Sequence, residues 1–94
     1  MYKRLEAIIT GRVQGVGFRY FVEIKANELG IVGWVANQWD GSVKVVAEGK
    51  AENIDLFLKE LWKGPRLAYV EDVKSSITDI EKLSFISFDI RFGE

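Results

Sequence analysis

The sequence predicts an α+β sandwich, an antiparallel sheet with two helices packed on one of its faces. Three observations predict it. Stretches alternating apolar and polar residues at the period of a strand are interleaved with two stretches whose apolar residues recur at helical spacing. An Asp-Gly pair, Asp40-Gly41, joins the two strand-like stretches in the middle of the chain. The 94 residues, 48 % of them hydrophobic, suit a single domain spanning 1–94 and no more.

The elements follow in order. From Lys3 to Gly11, Leu5, Ala7 and Ile9 share one face of a first strand. Arg12 to Phe18 contains Gly15 and Gly17 and reads as a loop. Phe18, Val22, Ala26 and Leu29 then recur at helical spacing with Phe21 beside them, and Gly30 supplies a left-handed helix stop. Ile31 to Trp39 and Ser42 to Glu48 are strands separated by the Asp40-Gly41 turn, with Val43, Val45 and Ala47 on one face of the second. A second helix starts near Ala51. Its stripe is Ile54, Phe57, Leu58, Leu61 and Trp62, and Gly64-Pro65 ends it. Tyr69 to Thr78 is a weaker strand. In Phe85 to Phe92, Ile86, Phe88, Ile90 and Phe92 alternate with Ser87, Asp89 and Arg91. The order is βαββαβ with a short extra C-terminal strand, a ferredoxin-like arrangement.

Composition removes several kinds of chemistry. There is no cysteine, hence no disulfide, thiol nucleophile or Cys-ligated metal. There is no histidine, which excludes imidazole general-base catalysis and most zinc sites. No carboxylates are spaced as a metal site or an acid–base pair, so neither metal nor cofactor is expected. A net charge of −1 offers no general attraction to nucleic acid or anionic membranes, so any anion site must be local. The N-terminus lacks the apolar core of a signal peptide, and no apolar run approaches a membrane span. The expectation is a cytoplasmic monomer.

Two stretches carry chemistry. Gly11-Arg12-Val13-Gln14-Gly15-Val16-Gly17-Phe18-Arg19 lies between a strand and a helix start. A helix N-terminus presents unpaired N–H groups and a positive dipole end, and glycines let the main chain curve into a nest around an anion. Arg19 falls in the first turn, where a cation opposes the dipole unless an anion compensates it. The stretch lacks the Gly-Lys-Ser/Thr of a nucleotide P-loop, and Tyr20 stands where a dinucleotide fingerprint needs its third glycine. On these residues alone a structural turn and an anion cradle both stay open. In Gly33-Trp34-Val35-Ala36-Asn37-Gln38-Trp39-Asp40-Gly41-Ser42-Val43, Asn37 is either an ordinary turn-side residue or an amide able to orient a water molecule.

Taken together, these two stretches closely resemble the two signatures of the acylphosphatase family. The resemblance runs over the whole chain and includes Leu29-Gly30, Gly49 and Gly64-Pro65. It implies an enzyme that hydrolyses an acyl phosphate to a carboxylate and inorganic phosphate. It also implies that the loop backbone of Gln14, Gly15, Val16, Gly17, Phe18 and Arg19 binds the phosphoryl oxygens. Arg19 would grip the phosphate, and Asn37 would hold the attacking water. The implied partner is a small-molecule acyl phosphate, with inorganic phosphate as product and competitive inhibitor. The differences lie at Ala36 and Gln38-Trp39, which bear on specificity.

The remaining residues have plainer readings. Trp34 and Trp62 are expected to pack in the core or against a helix, and Trp39 to lie near solvent or the site rim. Lys3-Arg4 and Glu71-Asp72 read as solvated strand edges, and Lys59, Glu60 and Lys63 as an exposed helix face. The end of the chain, Phe92-Gly93-Glu94, could bring its carboxylates near Arg19. RNA-recognition modules share the βαββαβ order, but they stack bases on aromatics of the exposed sheet face. Here the third strand, Ser42 to Glu48, carries no aromatic residue.

Overall fold

Strict alternation along the first strand makes the sheet two-faced, and that division organises the whole molecule. The computed structural model describes residues 1–92. Its elements are β1 (Tyr2–Arg12), α1 (Phe18–Glu28), β2 (Val32–Asn37), β3 (Val43–Lys50), α2 (Ala51–Lys63), β4 (Tyr69–Ile80) and β5 (Phe88–Arg91). They form one five-stranded sheet in the order β4-β1-β3-β2-β5. The β4-β1, β1-β3 and β3-β2 pairs are antiparallel, as the ferredoxin-like reading requires.

Leu5, Ala7 and Ile9 of β1 and Val43, Val45 and Ala47 of β3 are all buried on one face of the sheet. Against them pack Phe18, Val22 and Ala26 of α1 and Ile54, Phe57 and Leu61 of α2. Helix α1 ends as its sequence indicates. Gly30 takes φ +66, its N–H donates to the Asn27 carbonyl, and the Ile31 N–H reaches back to Ala26 at 2.8 Å.

The structure refines several expectations. The fifth strand spans only Phe88–Arg91 and runs parallel to β2, with Val35 opposite Ile90, so the complete sheet is mixed. Ahead of Phe88 the chain touches β2 through Gly33 N–H to Ser87 O at 2.9 Å, and Ile86, fully exposed, buries nothing that would extend the strand. The turn at Asp40-Gly41 is wider than a two-residue hairpin. Strand β2 stops at Asn37 and β3 starts at Val43, with Gln38 and Ser42 closing the loop through Gln38 N–H to Ser42 O at 2.9 Å. Within it Asp40 Oδ1 accepts from the Ser42 hydroxyl (2.6 Å) and N–H (2.9 Å). Those two donors, the hydroxyl foremost, hold the Asp40 carboxyl below its usual pKa. Trp62 is half exposed. Eight residues beyond Ile54 is about 80° round the helix, which takes its indole to the margin of the buried stripe.

Trp34 is buried as expected, but on the face away from the helices. Its indole packs with Phe85, and Arg91 lies over it at 4.5 Å. On the same face Arg4 is more than a solvated edge residue. Its guanidinium bonds Glu48 (Nε to Oε2, 2.7 Å), a carboxylate with no exposed surface, whose other oxygen accepts the Ser84 N–H at 2.5 Å. This knot ties the segment after β4 down onto the sheet and so sets where β5 begins. Removing one partner of a buried pair leaves an uncompensated charge. Arg4→Met is therefore expected to cost about 3 kcal/mol in urea unfolding. Glu48→Gln, which retains hydrogen-bonding atoms, should cost less, and equal stability of Arg4→Met and the native chain would contradict this account.

Candidate active site

Strands β1 and β2 both run antiparallel to β3, and β5 runs parallel to β2, so all three point the same way. Their carboxyl ends therefore lie at one edge of the sheet, and α1 begins at that edge. The chain between β1 and α1 is anchored by side chains turned inward. Val13 and Phe18 are buried, and Val16 packs against the core. Between these anchors Gly15 and Gly17 stay exposed, at φ +74 and +78. A Cβ added at either would meet nothing within 4 Å. The glycines are needed for left-handed backbone rather than for close packing, since L-residues reach that region at a cost of about 1–2 kcal/mol.

A hollow of about 190 Å³ opens at this edge. Gly15, Gly17, Phe18, Arg19 and Asn37 line it, with Val13, Tyr20, Ile90 and Phe92 completing the wall. Because glycine has no side chain, Gly15 and Gly17 contribute main chain to that wall. Gly17 is the N-cap of α1 and provides no side-chain cap, and the first turn holds no acidic residue. Among the described residues, no protein acceptor takes the N–H groups from Gly15 to Tyr20. Unpaired amides at a positive dipole end favour an anion.

Arg19 sits in this first turn, partly buried, and has no carboxylate partner among the described residues. Its guanidinium carbon lies 5.0 Å from the centre of the Phe92 ring. Asn37, the last residue of β2, lines the same hollow. Its Oδ1 is buried and accepts no hydrogen bond from the protein among the described residues. Buried acceptors are nearly always paired, so an unpaired one in a pocket wall is positioned for a ligand or a water.

The structure thus brings Arg19 and Asn37 to one cavity with the main chain of Gly15, Gly17 and Phe18. The Gln14 side chain turns elsewhere. Its amide bonds the β2–β3 loop, with Nε2 donating to Gln38 O at 2.8 Å and to Ser42 O at 2.9 Å. Trp39 is almost fully exposed at the tip of that loop and lies outside the cavity lining. The Gly93-Glu94 carboxylates expected near Arg19 lie outside the described residues. Sequence reasoning missed Val13, Tyr20, Ile90 and the Phe92 ring as wall residues. Phe92 shares the alternation of Phe88 and Ile90 and was legible as a residue on the helix-covered face. Its approach to Arg19 depends on β5 pairing with β2, which alternation does not encode.

A family model described as Acylphosphatase matches residues 5–90. The chain is 56 % identical over 71 residues to an acylphosphatase of Thermus thermophilus, covering 76 % of this chain and 81 % of that one. It is 44 % identical over 87 residues to an acylphosphatase of Nitrosococcus oceani, covering 93 % and 96 % respectively. The crystal structure of acylphosphatase from Bacillus subtilis superposes with a TM-score of 0.89 at 34 % identity, covering 95 % of this chain and 98 % of that one. No helix among the described residues is long and apolar enough to cross a membrane.

Proposed function

This chain belongs to the acylphosphatase family, and on that premise we propose that it hydrolyses acyl phosphates by in-line attack of a water held by Asn37. One observation carries the reading: Arg19, Asn37 and the main chain of two left-handed glycines border a single cavity. The phosphoryl oxygens are received by the amides of Gln14 to Arg19 at the start of α1, and the Arg19 guanidinium closes over them. Arg suits this place better than Lys because its planar fork meets two phosphate oxygens at once and stays charged. The Asn37 Oδ1, unpaired among the described residues, accepts a hydrogen bond from the water, which directs an oxygen lone pair at phosphorus.

The substrate explains why so few groups suffice. The leaving carboxylate has a conjugate-acid pKa of about 4, so it departs without a general acid. Phosphoryl transfer passes through a loose transition state with charge spread over the equatorial oxygens, which asks little of the nucleophile. Positioning and electrostatic stabilisation then supply most of the catalysis. The P–O bond to the acyl group breaks, a P–O bond to water forms, and the water's proton is lost to solvent. Phosphate, the product, competes for the same cavity.

The test is phosphate release from a panel of acetyl, carbamoyl and glyceroyl phosphates, with a phosphate monoester as control and a chelator in parallel. Release from acyl phosphates is expected, unchanged by chelation, and none from the monoester, whose alkoxide leaving group needs a proton. Turnover of the monoester, or loss of activity with chelator, would refute this chemistry.

A further inference from the structure

The two halves of the cavity belong to different parts of the chain, and something must hold them in register. The amide-lined half comes from the segment between β1 and α1. Asn37 comes from β2, where it stands immediately before the loop to β3. Gln14 is the side chain that spans them. Its carboxamide has two N–H donors, and both are used, one on Gln38 O (2.8 Å) and one on Ser42 O (2.9 Å). Gln38 directly follows Asn37, and Ser42 is the residue that closes the loop against Gln38. A single planar group thus grips both arms of the loop at its base.

We propose that Gln14 is a positioning residue that acts on the reaction through Asn37, by setting the distance between the phosphate cradle and the attacking water. This rests on the functional reading above. The geometry gives the idea a direction. The Gln14 side chain is engaged on the β2–β3 loop and lies outside the cavity lining, and a substitution keeps the main-chain amide, so loss of the carboxamide should leave phosphate binding nearly unchanged. It should instead let Asn37 drift, and misplacement of about 1 Å can cost about a hundredfold in rate.

Gln14→Met removes both donors while keeping side-chain length, and Gln14→Ala serves as a second variant should Met pack differently. Either is expected to lower kcat by about 10- to 100-fold, with the inhibition constant of inorganic phosphate within about twofold of the native value. The decisive measurement is the double variant. If Gln14 works through Asn37, adding Gln14→Met to Asn37→Ala lowers kcat no further, because there is no longer a placed amide to lose. A merely structural role predicts losses that multiply, a parallel fall in phosphate affinity, or a lowered melting temperature at native kcat, and any of these overturns the proposal. If Asn37→Ala itself retains native kcat, the failure lies in the underlying functional reading and not in this inference alone.

Discussion

Arg19→Ala is expected to abolish turnover, lowering kcat/KM by roughly a thousandfold or more, and to remove measurable inhibition by inorganic phosphate. Both effects come from one cause. The guanidinium is the cation that lines the cavity, and the overall charge of −1 provides no background field to replace it. It stands where the positive end of α1 repels it, so in the free protein it adds nothing to helix stability. Among the described residues it has no carboxylate partner, so its removal breaks no ion pair there. Relief of the dipole repulsion and loss of the Phe92 contact oppose each other, so the melting temperature of Arg19→Ala should stay close to that of the native chain. Arg19→Lys restores the charge without the fork and should recover part of the phosphate affinity but little of the rate. Isothermal titration with phosphate, beside steady-state kinetics, separates these outcomes. Native phosphate affinity in Arg19→Ala would show that the amide nest alone binds the anion.

Asn37→Ala is expected to act differently. It should lower kcat by about a hundredfold or more and leave the phosphate inhibition constant nearly unchanged, since the cradle is built from another segment. A fall in kcat with no rise in KM marks an interaction made only as the reaction proceeds. The same substitution removes a buried acceptor that pairs with no protein group among the described residues, and such atoms are costly to bury. Asn37→Ala should accordingly be no less stable than the native chain in thermal unfolding. Loss of activity without loss of stability at this position would mark a site in which stability is exchanged for function. A kcat equal to that of the native chain would remove Asn37 from the mechanism.

Much of the architecture was legible from side-chain period. Leu5, Ala7 and Ile9 name the buried face of β1, and Ile54, Phe57 and Leu61 that of α2, because apolar burial is the dominant local signal. Legibility falls where pairing replaces burial. β4 extends to Ile80 through exposed Ser75, Ser76 and Thr78, held by its register against β1 rather than by any apolar stripe. The Arg4–Glu48 knot was hidden for the same reason, since forty-four positions of sequence separate its two partners. The two motifs were readable as loop and hairpin chemistry. The amide of Gln14 was readable only as part of the first of them.

By itself, the sequence determined the order of elements, the left-handed glycines at 15 and 17, and the types of group available for chemistry. Each is a local property, decided by side-chain size, polarity and backbone freedom within a few residues. Only the tertiary structure decided that three strands end at the edge where α1 begins. It also decided that β5 lies parallel to β2 and carries Phe92 over Arg19, and that Gln14 fastens one motif to the other. These are relations between segments distant in the chain. They arise from burying one face of the whole sheet at once, a requirement that no single stretch of residues contains.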